Sequence, residues 1–92
     1  MKMYELPNGR LYRIVFHKNY HEHIKEPYII ESLLMPKEVK KLDGNPDDFF
    51  KKHFPEGRWQ FIQECETEQD ALETICLFAR TRNVNDLKKY EL

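Results

Sequence analysis

Apolar and polar residues alternate along the first part of the chain, and this period of two is typical of β-strands. An Asn8-Gly9 pair lies between the first two alternating stretches, and Asn-Gly between strand-forming segments is a strong hairpin signal. The polar segment 18–26 has no clean period and is predicted to be a loop, after which Pro27 opens a further strand. We therefore predict strands over 2–6, 10–17 and 28–35.

The second half of the chain contains both helix and strand signals. Asn45 as N-cap with Pro46 in the first turn predicts a short helix that ends near Pro55. A fourth alternating stretch, 58–66, predicts a strand. Thr67 then fits the N-cap of a helix over 68–82. Apolar residues at spacings of three and four form one stripe along that helix: Ala71, Leu72, Ile75, Cys76, Phe78 and Ala79.

These elements predict an α+β fold for a single domain spanning 1–92. We expect a four-stranded, mainly antiparallel sheet, since consecutive strands usually lie next to each other. One main C-terminal helix is expected to pack on one face of the sheet, with a short helical insertion before the last strand. The tail, 85–92, is expected to add at most one or two helical turns.

Alternation along the strands divides the sheet residues into two faces. The first face is nearly all apolar and is predicted to meet the helix; it comprises Tyr12, Ile14, Phe16, Tyr28, Ile30, Leu34, Trp59, Phe61 and Cys65. If Phe61 is buried there, its replacement by alanine should cost about 3–5 kcal/mol. The second face is mixed, and it comprises Leu11, Arg13, Val15, Ile29, Glu31, Leu33, Arg58, Gln60, Ile62 and Glu64.

The apolar members of the mixed face need cover from water. Three sources of cover are open: the short helix with its phenylalanines, a second subunit in a homodimer, or a functional partner. A homodimer is thus one expectation for this chain.

Composition narrows the classes of function. Fifteen Lys and Arg residues against 16 Asp and Glu residues give a net charge of −1, without the basic excess usual in nucleic-acid-binding domains. Two cysteines are too few for a disulfide scaffold, and the first ten residues lack an apolar signal segment. We expect a cytoplasmic protein with reduced thiols and no membrane association.

Catalytic and metal-binding patterns are weak in this sequence. His17, His21 and His23 could supply zinc ligands together with Cys65 or Cys76, but their spacing matches no zinc module. The chain has only three glycines and no glycine-rich phosphate loop or nucleophile motif. We therefore expect no cofactor, no metal and no enzymatic activity, and we rank a small enzyme or metal-binding protein third among the alternatives.

An acidic run at the start of the main helix is the first candidate site. It consists of Glu64, Glu66, Glu68, Asp70 and Glu73, with no basic residue between them. Acids at a helix start also stabilise the helix dipole, which is the ordinary explanation of such a run. As a site, the row would present carboxylates to a basic partner, such as an arginine-lined groove. Tyr20 has no evident core role and is predicted to join it as an aromatic anchor.

A second candidate site is basic. Arg10, Arg13 and Arg58, with Gln60, are predicted to form a sheet face that binds DNA or RNA.

The hypothesis that follows is a non-enzymatic binding protein that acts on a larger protein or nucleoprotein complex. Its size and near-neutral charge are those of the small inhibitors that phages direct against host defences, such as anti-CRISPR proteins, and this comparison is an analogy only. The alternative hypothesis is a small DNA- or RNA-binding α+β domain.

Overall fold

The computed structural model describes residues 2–92. The elements follow the predicted order: β1 (Lys2–Glu5), β2 (Leu11–Phe16), β3 (Tyr28–Leu34), α1 (Asp48–His53), β4 (Arg58–Cys65) and α2 (Glu68–Ala79). Two 3-10 helices, Pro36–Glu38 and Val84–Tyr90, complete the structure. In the part of the chain that is described, no helix is long and apolar enough to cross a membrane.

The four strands form one antiparallel sheet in the order β1-β2-β3-β4, as the hairpin and loop signals predicted. The turn after β1 is closed by two backbone hydrogen bonds, from Leu6 to Arg10 and from Gly9 to Leu6. The α+β fold predicted from the sequence is confirmed.

Both helix starts have side-chain caps, although one lies two residues later than predicted. Asp47, rather than Asn45, accepts the N–H of Phe50 and begins α1. Asn45 instead donates its own N–H to Asp43 in the preceding turn, which removes it from the cap position. Thr67 caps α2 as expected, through the N–H of Asp70.

Helix α2 ends three residues earlier than predicted. Arg80 adopts a left-handed backbone conformation with φ of 58°, so the helix stops at Ala79. Its N–H and that of Thr81 bond to carbonyls of the last helical turn. The chain then turns back, and the second 3-10 helix inserts Leu87 into the core.

The core lies between the sheet and α2. The residues that fill it are Tyr4, Leu6, Tyr12, Ile14, Ile30, Cys65, Ala71, Leu72, Ile75, Cys76, Ala79 and Leu87. Three aromatic residues expected there lie largely outside it: Phe16 is 57% exposed, Phe61 41% and Phe78 36%. Phe78 retains a stacking contact with Tyr12 at 5.5 Å between ring centres.

A β-bulge in β4 explains why Phe61 and Trp59 are not core residues. Ile30 pairs with Gln63, but the next residue of β3, Glu31, pairs with Phe61, so Ile62 is an extra residue in β4. One extra residue reverses the alternation of every side chain before it. The prediction that Trp59 and Phe61 face α2 is therefore wrong: both lie on the second face, and Ile62 packs against the core instead.

The second face is covered in part by the loop between β2 and β3. Tyr20 donates its hydroxyl proton to Glu31 at 2.8 Å, and the N–H groups of Lys25 and Glu26 bond to Glu64. Ile29 is fully buried on this face. The loop was not among the three sources of cover considered from the sequence.

Candidate binding surfaces

The predicted acidic row does not form one continuous surface. Glu64 is half-buried, and one of its carboxylate oxygens accepts the N–H groups of Lys25 at 2.8 Å and Glu26 at 2.9 Å. Glu64 thereby holds the β2–β3 loop against the sheet. Its carboxylate is occupied by backbone donors, which leaves it less available to a partner.

The other four acids of the row are exposed. Glu68 forms an ion pair with Lys2 at 3.0 Å, and both side chains are about half exposed. Glu73 accepts a long hydrogen bond of 3.4 Å from Gln69. Glu66 follows β4 directly, and Glu68 and Asp70 lie in the first turn of α2, so these three carboxylates lie near the end of the sheet where β4 ends. Glu73 lies further along α2 and lines a second groove.

Phe16 lies at the same end of the sheet, although the alternation in the sequence predicts it in the core. In the sheet register, Phe16 pairs with Tyr28 and Tyr28 pairs with Cys65, the residue before Glu66. The Phe16 ring meets Tyr28 edge to face at 5.1 Å and remains 57% exposed. Its position as the last residue of β2 is the sequence signal that it lies at the sheet's end, where α2 does not cover it.

An open groove of about 390 Å³ lies beside Phe16. Its lining combines the apolar rings of Phe16 and Tyr28 with the charged pair formed by Lys2 and Glu68. We use the term acidic end for Phe16 together with the exposed carboxylates Glu66, Glu68, Asp70 and Glu73.

Tyr20 has a structural role that the sequence did not indicate. Its hydroxyl bonds to Glu31, and its ring lies 5.9 Å from that of Phe61. Burial, reinforced by the Glu31 hydrogen bond and charge, raises the pKa of Tyr20. Tyr20 lies outside the core, and its role in partner binding stays a prediction.

The residues of the predicted basic face are divided between the two sides of the sheet. Arg13 pairs with Glu31 in the register and lies on the second face, whereas Gln60 pairs with Ser32 and Arg58 with Leu34, on the side of α2. The bulge at Ile62 again causes the difference. The interpretation that these residues share one face is therefore wrong.

Two of the three arginines also have carboxylate partners. Arg13 donates to Glu31 at 2.7 Å, and Arg10 donates to Glu38 at 3.2 Å. Arg58 is exposed, with its guanidinium 5.3 Å from the centre of the Phe54 ring. Ion pairing reduces the charge that Arg10 and Arg13 offer to phosphates. Nucleic-acid binding by this set stays a prediction.

The histidines and cysteines do not converge. Within residues 2–92, no group of three or more His, Cys, Asp and Glu side chains is placed to hold a metal ion. His17 and His21 each accept a nearby backbone N–H at Nδ1. Cys65 and Cys76 are buried and unbridged, and burial raises the pKa of the Cys65 thiol. A raised pKa disfavours the thiolate, which is the nucleophilic form.

Comparison of the chain with models of known protein families, with curated proteins and with solved structures gives no match.

Proposed function

We propose that this chain is a non-enzymatic binding protein that docks onto a larger protein or nucleoprotein complex through its acidic end. The observation that carries the proposal is the exposure of Phe16 in an open groove that Glu68 also lines, at the end of the sheet where α2 begins with exposed carboxylates. Aromatic anchors dominate the energy of many protein interfaces. Surrounding charges steer the encounter and select the partner.

The partner that fits this chemistry presents arginines or lysines around an apolar pocket. A nucleic-acid groove on a defence or processing complex carries clustered Arg and Lys side chains, because these neutralise the phosphates. A protein that fills the groove with carboxylates blocks it, and this is how we propose the chain acts as an inhibitor. The support is the chemistry of the acidic end together with the small size of the chain.

Affinity capture from the cells in which the protein occurs naturally tests this function. The test variant combines Glu66→Lys with Glu73→Lys, because Glu68 is already paired with Lys2. A matched control combines Glu5→Lys with Glu56→Lys, which changes the net charge equally at exposed positions near the opposite end of the sheet. We expect wild type and control to retain a partner with a basic groove, and the test variant to lose it. Phe16→Ala is expected to lose it as well.

Equal capture by all variants would count against the acidic end. A titration with labelled single-stranded and duplex oligonucleotides at two salt concentrations addresses the alternative function. Saturable binding that weakens steeply with salt would favour a DNA- or RNA-binding domain instead.

A further inference from the structure

The two edge strands of the sheet differ in whether their outer side is paired. The outer edge of β1 is paired by the end of the chain: Tyr4 forms an antiparallel bridge with Glu91, and Leu92 donates its N–H to the carbonyl of Met3 at 2.9 Å. On the opposite edge, none of the residues in 2–92 pairs with the outer side of β4.

An unpaired strand edge presents N–H and C=O groups that favour the addition of another strand. Proteins usually protect such an edge with a short strand, lysine, proline or a bulge. Strand β4 has eight residues and contains neither lysine nor proline. Its protective devices are the charges of Arg58 and Glu64 near its two ends and the bulge at Ile62, which leave the segment 59–61 uncharged and regular.

The regular segment carries two aromatic side chains on one face. Trp59 and Phe61 are two residues apart and both lie on the second face of the sheet. Phe61 is 41% exposed although its ring contacts Tyr20. The aromatic surface of the second face therefore reaches the open edge and stops there.

We propose that the β4 edge pairs with β4 of a second copy of this chain, antiparallel and centred on Gln60. A two-fold axis normal to the sheet makes each face continuous with the same face of the partner. A centre at Gln60 pairs residues 59–61 of the two copies, all of which come before the extra residue Ile62. Trp59 of each copy then lies opposite Phe61 of the other, so the symmetric arrangement forms two aromatic cross-strand pairs.

Charge favours this antiparallel arrangement over a parallel one. Arg58 carries the only charge in the segment 58–62. Antiparallel pairing centred on Gln60 separates the two Arg58 positions by four residues, or about 13 Å along the strands. That separation exceeds the Debye length of about 8 Å at physiological salt. Parallel pairing in register would instead place the two arginines side by side.

The proposed interface is small, so the dimer is expected to be weak and dependent on concentration. It uses the beginning of β4, whereas the proposed partner surface uses the opposite end of the sheet around Phe16. The dimer and the partner-binding function can therefore succeed or fail independently.

Site-directed cross-linking tests the centre of the pairing. Residues directly opposite in an antiparallel pair have Cβ atoms about 5 Å apart, so Gln60→Cys should be joined to itself by a short bismaleimide reagent. The control is Gln63→Cys on the same strand, whose two copies would be about 20 Å apart. Wild type serves as the blank because Cys65 and Cys76 are buried.

We expect a covalent dimer from Gln60→Cys and none from Gln63→Cys. Absence of a dimer from Gln60→Cys, or equal yields from both variants, would overturn the proposal.

Light scattering over a range of concentrations gives an independent measurement. Wild type is expected to shift toward twice its monomer mass, and Phe61→Lys to remain monomeric with an unchanged circular dichroism spectrum. Leu92→Lys is the matched control, since Leu92 is 69% exposed beside β1 at the opposite edge of the sheet, and it should dimerise like wild type. A wild type that stays monomeric at the highest concentration, or a Phe61→Lys variant that dimerises normally, would contradict the proposal.

Discussion

The guanidinium carbon of Arg13 lies 4.0 Å from the centre of the Trp59 ring, while Nε of the same arginine donates to the carboxylate of Glu31 at 2.7 Å. The cation therefore lies between an aromatic ring and a buried anion, and Tyr20 satisfies the second oxygen of Glu31. These contacts join β2, β3, β4 and the β2–β3 loop on the face of the sheet that α2 does not cover.

Removing Glu31 is expected to destabilise the fold strongly. Glu31→Ala leaves Arg13 partly buried without its anion and Tyr20 without its acceptor, and breaking a buried pair in this way costs about 3–5 kcal/mol. Glu68→Ala is the comparison, because its pair with Lys2 is half exposed and such pairs contribute about 1 kcal/mol or less. Urea denaturation measures both losses. Similar losses for the two variants would contradict the buried role of Glu31.

The aromatic residues of β4 should contribute less stability than the sequence suggested. Phe61 is 41% exposed, so Phe61→Ala is expected to cost about 1 kcal/mol rather than the 3–5 kcal/mol of a buried phenylalanine. Ile75 is fully buried in α2, and Ile75→Ala is expected to cost about 3–4 kcal/mol. Denaturant unfolding of the two variants measures the difference. A loss of about 3–5 kcal/mol for Phe61→Ala would instead favour a buried Phe61 on the face that meets α2, as the alternation in the sequence predicts.

Tyr4 should make the protein sensitive to alkaline pH. Burial, followed by the Glu91 carboxylate, raises the pKa of Tyr4 from 10.0 to about 12. The fold thus favours the protonated phenol, and this stabilisation is complete below pH 10 and is lost as the pH rises from about 10 to 12. A shift of this size corresponds to roughly 2–3 kcal/mol.

The measurement for Tyr4 is the free energy of unfolding between pH 8 and 12, for wild type and for Tyr4→Phe. The variant keeps the ring but cannot ionise, so its stability should fall less steeply across the same range. The titration of lysines and of the other tyrosines is common to both proteins. If the free energies of unfolding of the two proteins fall in parallel with pH, ionisation of Tyr4 is not the cause of the loss of stability.

Gly57, at the turn into β4, should tolerate no side chain. Its φ is +91°, and an added Cβ would lie 2.8 Å from Sδ of Met35 and 2.9 Å from the carbonyl oxygen of Leu34. Gly57→Ala is therefore expected to cost about 2–4 kcal/mol. Gly44 has a similar φ of +86° but nothing within 4 Å of the added atom, so Gly44→Ala should cost only about 1 kcal/mol of backbone strain.

Thermal denaturation with a two-state fit compares the two glycine variants. An equal loss of stability for both variants would mean that Met35 and Leu34 move aside and make room for the added Cβ of residue 57.

The elements and their order can be predicted from the sequence, because their signals are local. Asn8-Gly9 indicated the first hairpin, Thr67 the start of α2, and the spacing of Leu72 and Ile75 the buried side of that helix. Each signal depends on residues within a few positions of one another, where backbone preference and period act directly.

Which way the side chains of β4 face depends on tertiary packing. No glycine or proline marks the bulge at Ile62. The alternation breaks there, where apolar Phe61 and Ile62 are followed by polar Gln63 and Glu64, but this break alone does not show which residue is extra. The extra residue allows Ile62 to pack against the core while Trp59 meets Arg13 on the other face. That choice depends on packing between strands far apart in the chain, and a one-residue shift reverses a whole segment.

Contacts between residues far apart in the chain also explain why the predicted binding sites differ from the observed surfaces. The roles of Glu64 and Tyr20 depend on a loop whose polar sequence has no period, and it is the hydrogen bonds with Glu26 and Glu31 that hold this loop on the sheet. Long-range polar contacts of this kind leave no local pattern, because either partner alone resembles an ordinary surface residue. The candidate surfaces could therefore be located only once the strands were brought together.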